Sequence, residues 1–122
     1  MSKAHLFEIV EGWGAEIGPF TLRRDAAPGT LGEPFDLPEI VDLILVGTDG
    51  VAIVTADWVR VADDQSTTGK GQVYFTPDPS AADGFRTAKS PYTMRWRVPG
   101  APDQAPVYVP SGEADTVIVY AP

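Results

Sequence analysis

The single histidine is the first residue to consider for nucleophilic or acid–base chemistry. His5 stands near the start of the chain, with no serine or aspartate motif beside it. Nucleophilic catalysis needs an activated hydroxyl or thiol next to a base, and the chain has no cysteine. The sequence therefore indicates no catalytic triad, and we expect His5 to be an ordinary residue at the end of a strand, neither catalytic nor a metal ligand.

Carboxylates are plentiful, and a pair of them could in principle hydrolyse a glycosidic bond. The available acids are Glu8, Glu11, Glu16, Asp57, Asp63 and Asp64. Glycosidases usually need a larger groove than a domain of 122 residues builds. We therefore expect these acids to be solvated charges, and the sequence predicts no catalytic residues and no enzymatic activity.

Two loops carry oxygen ligands of the kind that calcium prefers. Asp63 and Asp64 begin one of them, and Asp78 and Asp83 lie in the other. The EF-hand spacing of acids that closes on a glutamate is missing, so structural calcium is only an alternative interpretation. The glycines and lysine at 69–71 lack the phosphate-loop spacing and indicate a turn. We predict no metal and no cofactor.

Exposed aromatic side chains could stack on sugar rings, and two tryptophans are candidates. Trp13 stands between two glycines, and Trp58 is in phase with Arg60 on a predicted strand. A single aromatic beside glycine more often covers the edge of a core. A carbohydrate- or receptor-binding module is therefore the alternative function.

Charge and hydropathy restrict the partners. Nine Lys and Arg against seventeen Asp and Glu give a net charge of −8, which repels phosphate backbones, so we expect no direct nucleic acid and no membrane partner. No apolar run approaches the ~20 residues of a membrane span, and no signal-peptide segment is evident. We expect a soluble single domain over residues 1–122.

The elements that must position these residues are short strands. Apolar stretches alternate with Gly, Pro, Asp and Ser clusters, which is typical of an all-β sandwich or barrel, and helical periodicity is nearly absent. Residues 20–24 alternate, with Phe20 and Leu22 facing a core, and residues 34–38 suit an edge strand or a crossing segment. Residues 58–61 and 72–76 form a predicted hairpin.

Two segments carry the strongest apolar patterns. Residues 40–46 are almost continuously apolar and predict a central strand or an oligomer contact, and the Asp-Gly turn at 49–50 predicts a hairpin with residues 51–55. The closing strand at 116–120 is similarly apolar. The candidate assembly contacts on these two segments are Ile40, Leu43, Leu45, Val117 and Val119.

The next predicted strand is the most regular. Residues 92–98 place Tyr92, Met94, Trp96 and Val98 on one face, so Trp96 is predicted to be a core residue. The longest predicted loop covers residues 77–89, with at most one helical turn at 80–83.

Seven short pieces follow one another over about residues 20–120. They are FTLRRD at 20–25, PFDL at 34–37, the apolar strand at 41–50 that ends in Asp49-Gly50, WVRVADD at 58–64, GQVYF at 71–75, SPYTMRW at 90–96, and VPSG at 109–112 before a final Val-Ile-Val strand. The order of these pieces resembles the N-terminal immunoglobulin-like domain of baseplate upper proteins and related small structural proteins of tailed bacteriophages. The segments 25–33 and 77–89 are longer than the family pattern.

The resemblance implies an immunoglobulin-like antiparallel β-sandwich of about seven or eight strands. It also implies a non-enzymatic virion structural protein of the tail, baseplate, neck or capsid surface, with other phage virion proteins as partners. We expect such a protein to be a homo-oligomer within the particle and to be located in the virion, assembled in the bacterial host cytoplasm. The family has no catalytic residues to assign to this chain.

Overall fold

The computed structural model describes residues 5–24, 32–78, 84–100, 105–110 and 113–121. Within these ranges the chain forms nine strands and one short 3₁₀ helix, and no α-helix. The strands are β1 Leu6–Val10, β2 Ile17–Thr21, β3 Asp42–Val46, β4 Ala52–Thr55, β5 Val59–Val61, β6 Gln72–Phe75, β7 Tyr92–Val98, β8 Val107–Val109 and β9 Asp115–Tyr120; the helix is Thr87–Lys89.

The strands form two sheets that pack face to face. The larger sheet has six strands in the order β1-β9-β7-β3-β4, and β8 pairs with β7 beyond the end of β9. The smaller sheet has the order β2-β6-β5. Strand β1 is parallel to β9, and the other pairs are antiparallel. The predicted immunoglobulin-like β-sandwich is confirmed, with nine strands in the described residues instead of seven or eight.

Aromatic side chains from both sheets meet in the core. The alternation predicted for β7 is confirmed, because Tyr92, Met94, Trp96 and Val98 are all buried. The Trp96 ring lies 5.9 Å, centroid to centroid, from Phe75 of the smaller sheet, and it contacts a second phenylalanine of that sheet at 5.8 Å. Trp96 is therefore one of the residues through which the two layers pack.

The hairpin of β3 and β4 forms where the Asp-Gly turn predicts it. Gly50 has a φ of +75°, and its N–H donates to the Gly47 carbonyl at 3.0 Å. Glycine adopts this left-handed conformation without the steric cost that a Cβ brings. The turn therefore fixes the register that places Leu45 opposite Ile53.

One predicted strand ends earlier in the structure, and a second segment takes one of its two predicted forms. Strand β2 ends at Thr21 instead of running over 20–24, although Leu22 is buried and Phe20 packs against the core as expected. Residues 34–38 form the crossing segment rather than a regular strand, with one isolated bridge to Arg23, because its two prolines cannot donate to a ladder. The helical turn predicted at 80–83 lies outside the described residues.

Candidate functional site

The structure places the predicted assembly residues mainly in the core. Leu43, Leu45, Val117 and Val119 are buried between the sheets, and among the five candidates only Ile40 is exposed, at 62%. Side chains of a strand alternate between its two faces, and in β3 and β9 the odd-numbered ones point inward. These four residues therefore cannot touch another subunit, and any contact made by these strands uses their even-numbered neighbours.

The outward side chains form an uncharged row across five strands of the larger sheet. The register aligns Ala52 with Val46, Val46 with Thr93, Thr93 with Thr116, and Thr116 with Leu6. This row crosses β4, β3, β7, β9 and β1 without a charged residue. We call the outward side of the six-stranded sheet the outer face.

A second row adds apolar side chains and one cation. Val54, which is 50% exposed, lies opposite Ile44, and Ile44 lies opposite Arg95. The Arg95 guanidinium donates to the Pro110 carbonyl oxygen. A groove of about 420 Å³ in the outer face is lined by Ile44, Val46, Thr93, Arg95 and Tyr108.

An ion pair borders this apolar region. Arg97 Nη2 lies 2.5 Å from Asp42 Oδ2, and Arg97 Nε donates to the same oxygen at 2.9 Å. The hydrogen bond to Asp42, followed by one with Tyr108, raises the pKa of Arg97 above its ordinary value. The two charges at this border thus neutralise each other. A partner protein that covered the neighbouring apolar side chains would therefore not bury the Asp42 carboxylate without a counter-charge.

A second groove lies beside the parallel pair of β1 and β9. It has a volume of about 370 Å³ and is lined by Glu8, Ile9, Val10, Trp13, Ile17 and Tyr120. Trp13 is 45% exposed and Tyr120 is 48% exposed. The Trp13 indole N–H donates to the Ala15 carbonyl at 3.0 Å, which orients the ring. This groove combines two accessible aromatic rings with a carboxylate.

The two predicted exposed aromatics have different environments. Trp13 is exposed as expected, whereas Trp58 is half-buried and packs against the core, with its ring centroid 6.2 Å from that of Phe85. Tyr120 is a further exposed aromatic that is not among the predicted candidates. The sequence does carry a signal for it, because the alternation that buries Val117 and Val119 points Tyr120 outward.

The histidine and acids that could do chemistry mostly make local structural contacts. His5 is exposed, and its backbone N–H donates to Asp115 Oδ1 at 2.8 Å. Glu16 accepts two hydrogen bonds from Arg60, at 2.9 and 3.0 Å, and this contact lowers the pKa of Glu16. Glu11 Oε1 accepts from the Thr87 N–H at 2.9 Å. These bonds connect loops and strands rather than forming a shared reaction centre.

The described part of the chain contains no cluster of ligands for the calcium ion of the alternative interpretation. No three acidic or histidine side chains converge there in a way that could hold a metal ion. Asp64 Oδ2 instead accepts from the Thr68 hydroxyl at 2.5 Å. Asp83 lies outside the described residues.

Among the described residues, no helix has the length and apolar character required to cross a bilayer.

Comparison with known proteins adds no relative to this description. Protein-family models, curated protein sequences and solved structures were all compared with the chain, and none of them matches it. The fold, the outer face and the aromatic groove therefore carry the argument on function, together with the sequence resemblance.

Proposed function

We propose that this protein is a non-enzymatic structural protein of a tailed bacteriophage virion. It acts in the tail, baseplate, neck or capsid-associated layer through contacts with other virion proteins. The sequence pattern over about residues 20–120 supports this proposal, and so does the immunoglobulin-like sandwich, which is the fold that the resemblance implies. The single observation that carries the proposal is the uncharged row of outward side chains that runs from Ala52 to Leu6 across the outer face.

One row of the outer face carries no charge. Charged residues make up 21% of the sequence, yet the row from Ala52 to Leu6 has none. Protein–protein interfaces are depleted of charge at their centre and place charges at the rim, where the pair of Arg97 and Asp42 lies here. Removing apolar surface from water contributes about 25 cal/mol for each Å², which opposes the entropy lost on association.

The test compares two threonine-to-lysine variants in purified virions by mass spectrometry. Thr93 is exposed in the middle of the outer face, and Thr21 is exposed on the smaller sheet. We expect Thr93→Lys to be incorporated at least about tenfold less than the wild type, since the interface would bury an unpaired ammonium, and Thr21→Lys to be incorporated normally. Absence of the wild-type protein from virions, or equal incorporation of both variants, would contradict the proposal.

The groove beside Trp13 supports a second candidate, a carbohydrate- or receptor-binding module. Sugar rings stack on accessible aromatic faces and donate hydroxyl hydrogen bonds to carboxylates such as Glu8. Isothermal titration with bacterial cell-wall glycan fragments tests this function. Binding that Trp13→Ala abolishes and that Thr93→Lys leaves intact would favour the module over the assembly subunit.

A further inference from the structure

Among the described residues, five strands lie at sheet edges, and four of them carry features that discourage pairing with another chain. Edge strands expose unpaired backbone groups, and proteins protect them with charges, prolines and bulges. Strand β1 has Glu8 at its middle. Strand β2 has Pro19 and an irregular register between its pairs with β6. Strand β5 has Arg60 at its middle. Strand β8, which pairs only with β7, has three residues and lies between Pro106 and Pro110.

Strand β4 has none of these protections. The segment 51–56 reads VAIVTA, with no charge, proline or glycine, and its register with β3 is regular. Among the described residues, β3 is its sole strand partner. Val51 and Val54 are 58% and 50% exposed. Such a segment is a template for strand addition.

The hydrogen bonds of the larger sheet show which backbone groups of β4 are free. Thr116 N–H donates to the His5 carbonyl, and Glu11 N–H donates to the Tyr120 carbonyl, so the even-numbered residues of β9 bond to β1. Backbone groups of successive strand residues point to opposite sides. The odd-numbered residues of β9 therefore bond to β7.

The same alternation continues through the next two strands. Val117 bonds to β7 and pairs with Tyr92, so the even-numbered residues of β7 bond to β9 and its odd-numbered residues bond to β3. The odd-numbered residues of β7 pair with even-numbered residues of β3. The odd-numbered residues of β3 therefore bond to β4. Leu45 pairs with Ile53, so Ile53 and Thr55 are the β4 residues whose backbone groups face β3. The N–H and C=O groups of Ala52 and Val54 consequently point to the free edge.

We propose that the free edge of β4 pairs with β4 of a second copy of this chain in antiparallel orientation. The inference rests on the proposed assembly function and identifies the partner of this edge. Two-fold pairing sets Ala52 of each copy against Val54 of the other, which joins their free backbone groups in four hydrogen bonds. Ile53 then lies opposite Ile53 of the second copy, at the axis.

An uncharged edge favours an uncharged partner strand, and residues 51–56 of a second copy provide one. Antiparallel pairing brings the flanking Asp49 of one copy toward Asp57 of the other, and Lys89 Nζ, 3.6 Å from Asp49 Oδ2, offsets part of that like charge. A basic partner would find no acid on β4 to match. Pairing also extends the outer face across the axis. Val54 lies beside Ile44 in its own copy and opposite Ala52 of the second copy, so one row of outward side chains runs through both copies.

Amide hydrogen exchange measured by NMR tests the pairing directly. The amides of Ile53 and Thr55 bond within the monomer and should be protected at every protein concentration. Those of Ala52 and Val54 should exchange at least about tenfold more slowly at millimolar than at micromolar protein. Equal, fast exchange of Ala52 and Val54 at both concentrations would overturn the proposal.

Three variants separate the edge from the outer face. Val54→Lys should abolish the concentration dependence, and Leu6→Lys, an equally exposed change on β1, should retain it. Ala52→Pro removes only an N–H that the fold does not use, and it should act like Val54→Lys if the lysine variant fails to fold. Loss of the effect in Leu6→Lys as well would assign the contact to the outer face and reject the edge.

The two proposals fail separately. Concentration-dependent protection of Ala52 and Val54 in a protein absent from virions would retain the pairing and reject the virion function. Presence in virions with unprotected Ala52 and Val54 amides would do the reverse.

Discussion

The side-chain carbonyl of Gln65 accepts a hydrogen bond from the backbone N–H of Leu37 at 3.0 Å, across 28 residues of sequence. The same oxygen accepts from the Gly71 N–H at 3.0 Å, and the Gln65 amide donates to the carbonyls of Ala62 and Gly69 at 2.9 Å each. One side chain thus connects the crossing segment to the turn before β6. Its hydrogen bonds go to backbone groups that have no partner in the hydrogen-bond ladders of the two sheets.

We expect Gln65→Ala to lower the free energy of unfolding by about 2–3 kcal/mol, because it leaves part-buried backbone N–H groups without an acceptor. Urea titration followed by circular dichroism measures the change. Ser66→Ala, at the exposed neighbouring position, is the control. A Gln65 variant as stable as the control would contradict the bridging role.

Trp96→Ala removes a buried ring that contacts two phenylalanines of the opposite sheet. We expect a loss of about 3–5 kcal/mol, enough to unfold a domain of ordinary stability. The matched control is Trp13→Ala, whose ring is exposed and whose loss should cost less than about 1 kcal/mol. Thermal melting of both variants tests this pair. An unchanged melting temperature for the Trp96 variant would mean that the faces of β7 are reversed.

Two glycines with nearly equal positive φ should respond differently to alanine. A Cβ at Gly50 meets nothing within 4 Å, whereas a Cβ at Gly71 comes within 2.8 Å of the Leu22 carbonyl oxygen. Both changes cost about 1–2 kcal/mol for the left-handed backbone, and only Gly71→Ala adds a steric clash. The free energy of unfolding, measured by chemical denaturation, should therefore be clearly lower for Gly71→Ala than for Gly50→Ala. Equal stabilities would contradict the close approach at Gly71.

Acid should weaken the turn that contains Asp64. The hydrogen bond from Thr68 and nearby backbone groups lower the pKa of this carboxyl. A carboxyl with a lowered pKa stabilises the fold above its unfolded-state pKa of about 3.9 and loses that effect as the pH falls through its folded pKa.

The corresponding measurement is the melting temperature of the wild type and of Asp64→Asn from neutral to acidic pH. The gap between the two melting temperatures should be constant above about pH 5, should begin to narrow near about pH 4, and should vanish only as the pH falls below the lowered folded-state pKa of Asp64. Asp63→Asn controls for the loss of one charge. A gap that stays open in acid would assign the effect of Asp64 to its shape and not to its charge.

The absence of enzymatic activity is itself a prediction. We expect no turnover of bacterial cell-wall glycans by the purified protein. If turnover is found, Glu8, Glu11, Asp57, Asp63 and Asp64 are neutralised one at a time, with circular dichroism to confirm folding. Activity abolished by one such change in a folded variant would overturn the non-enzymatic proposal.

Local patterns predicted most of the fold. The Asp-Gly turn and the alternation in β7 depend on neighbours in sequence, so both could be recognised without a structure. Hydrophobicity alone predicts Leu43 and Val117 as assembly contacts, but it does not say which way a side chain points, and both are buried in the core. The hydrogen bond between Gln65 and Leu37 joins residues that are 28 apart in sequence, so no local sequence pattern predicts it.

The parallel pairing of β1 with β9 has a consequence for engineering. Leu6 lies beside Thr116 and Val10 beside Tyr120, so residues 5 and 121 lie at opposite poles of the sandwich. At about 3.3 Å per residue, some 20 Å of strand separates them. A circular permutant would need a linker that spans this distance, whereas tags fused at the two poles would stay clear of each other.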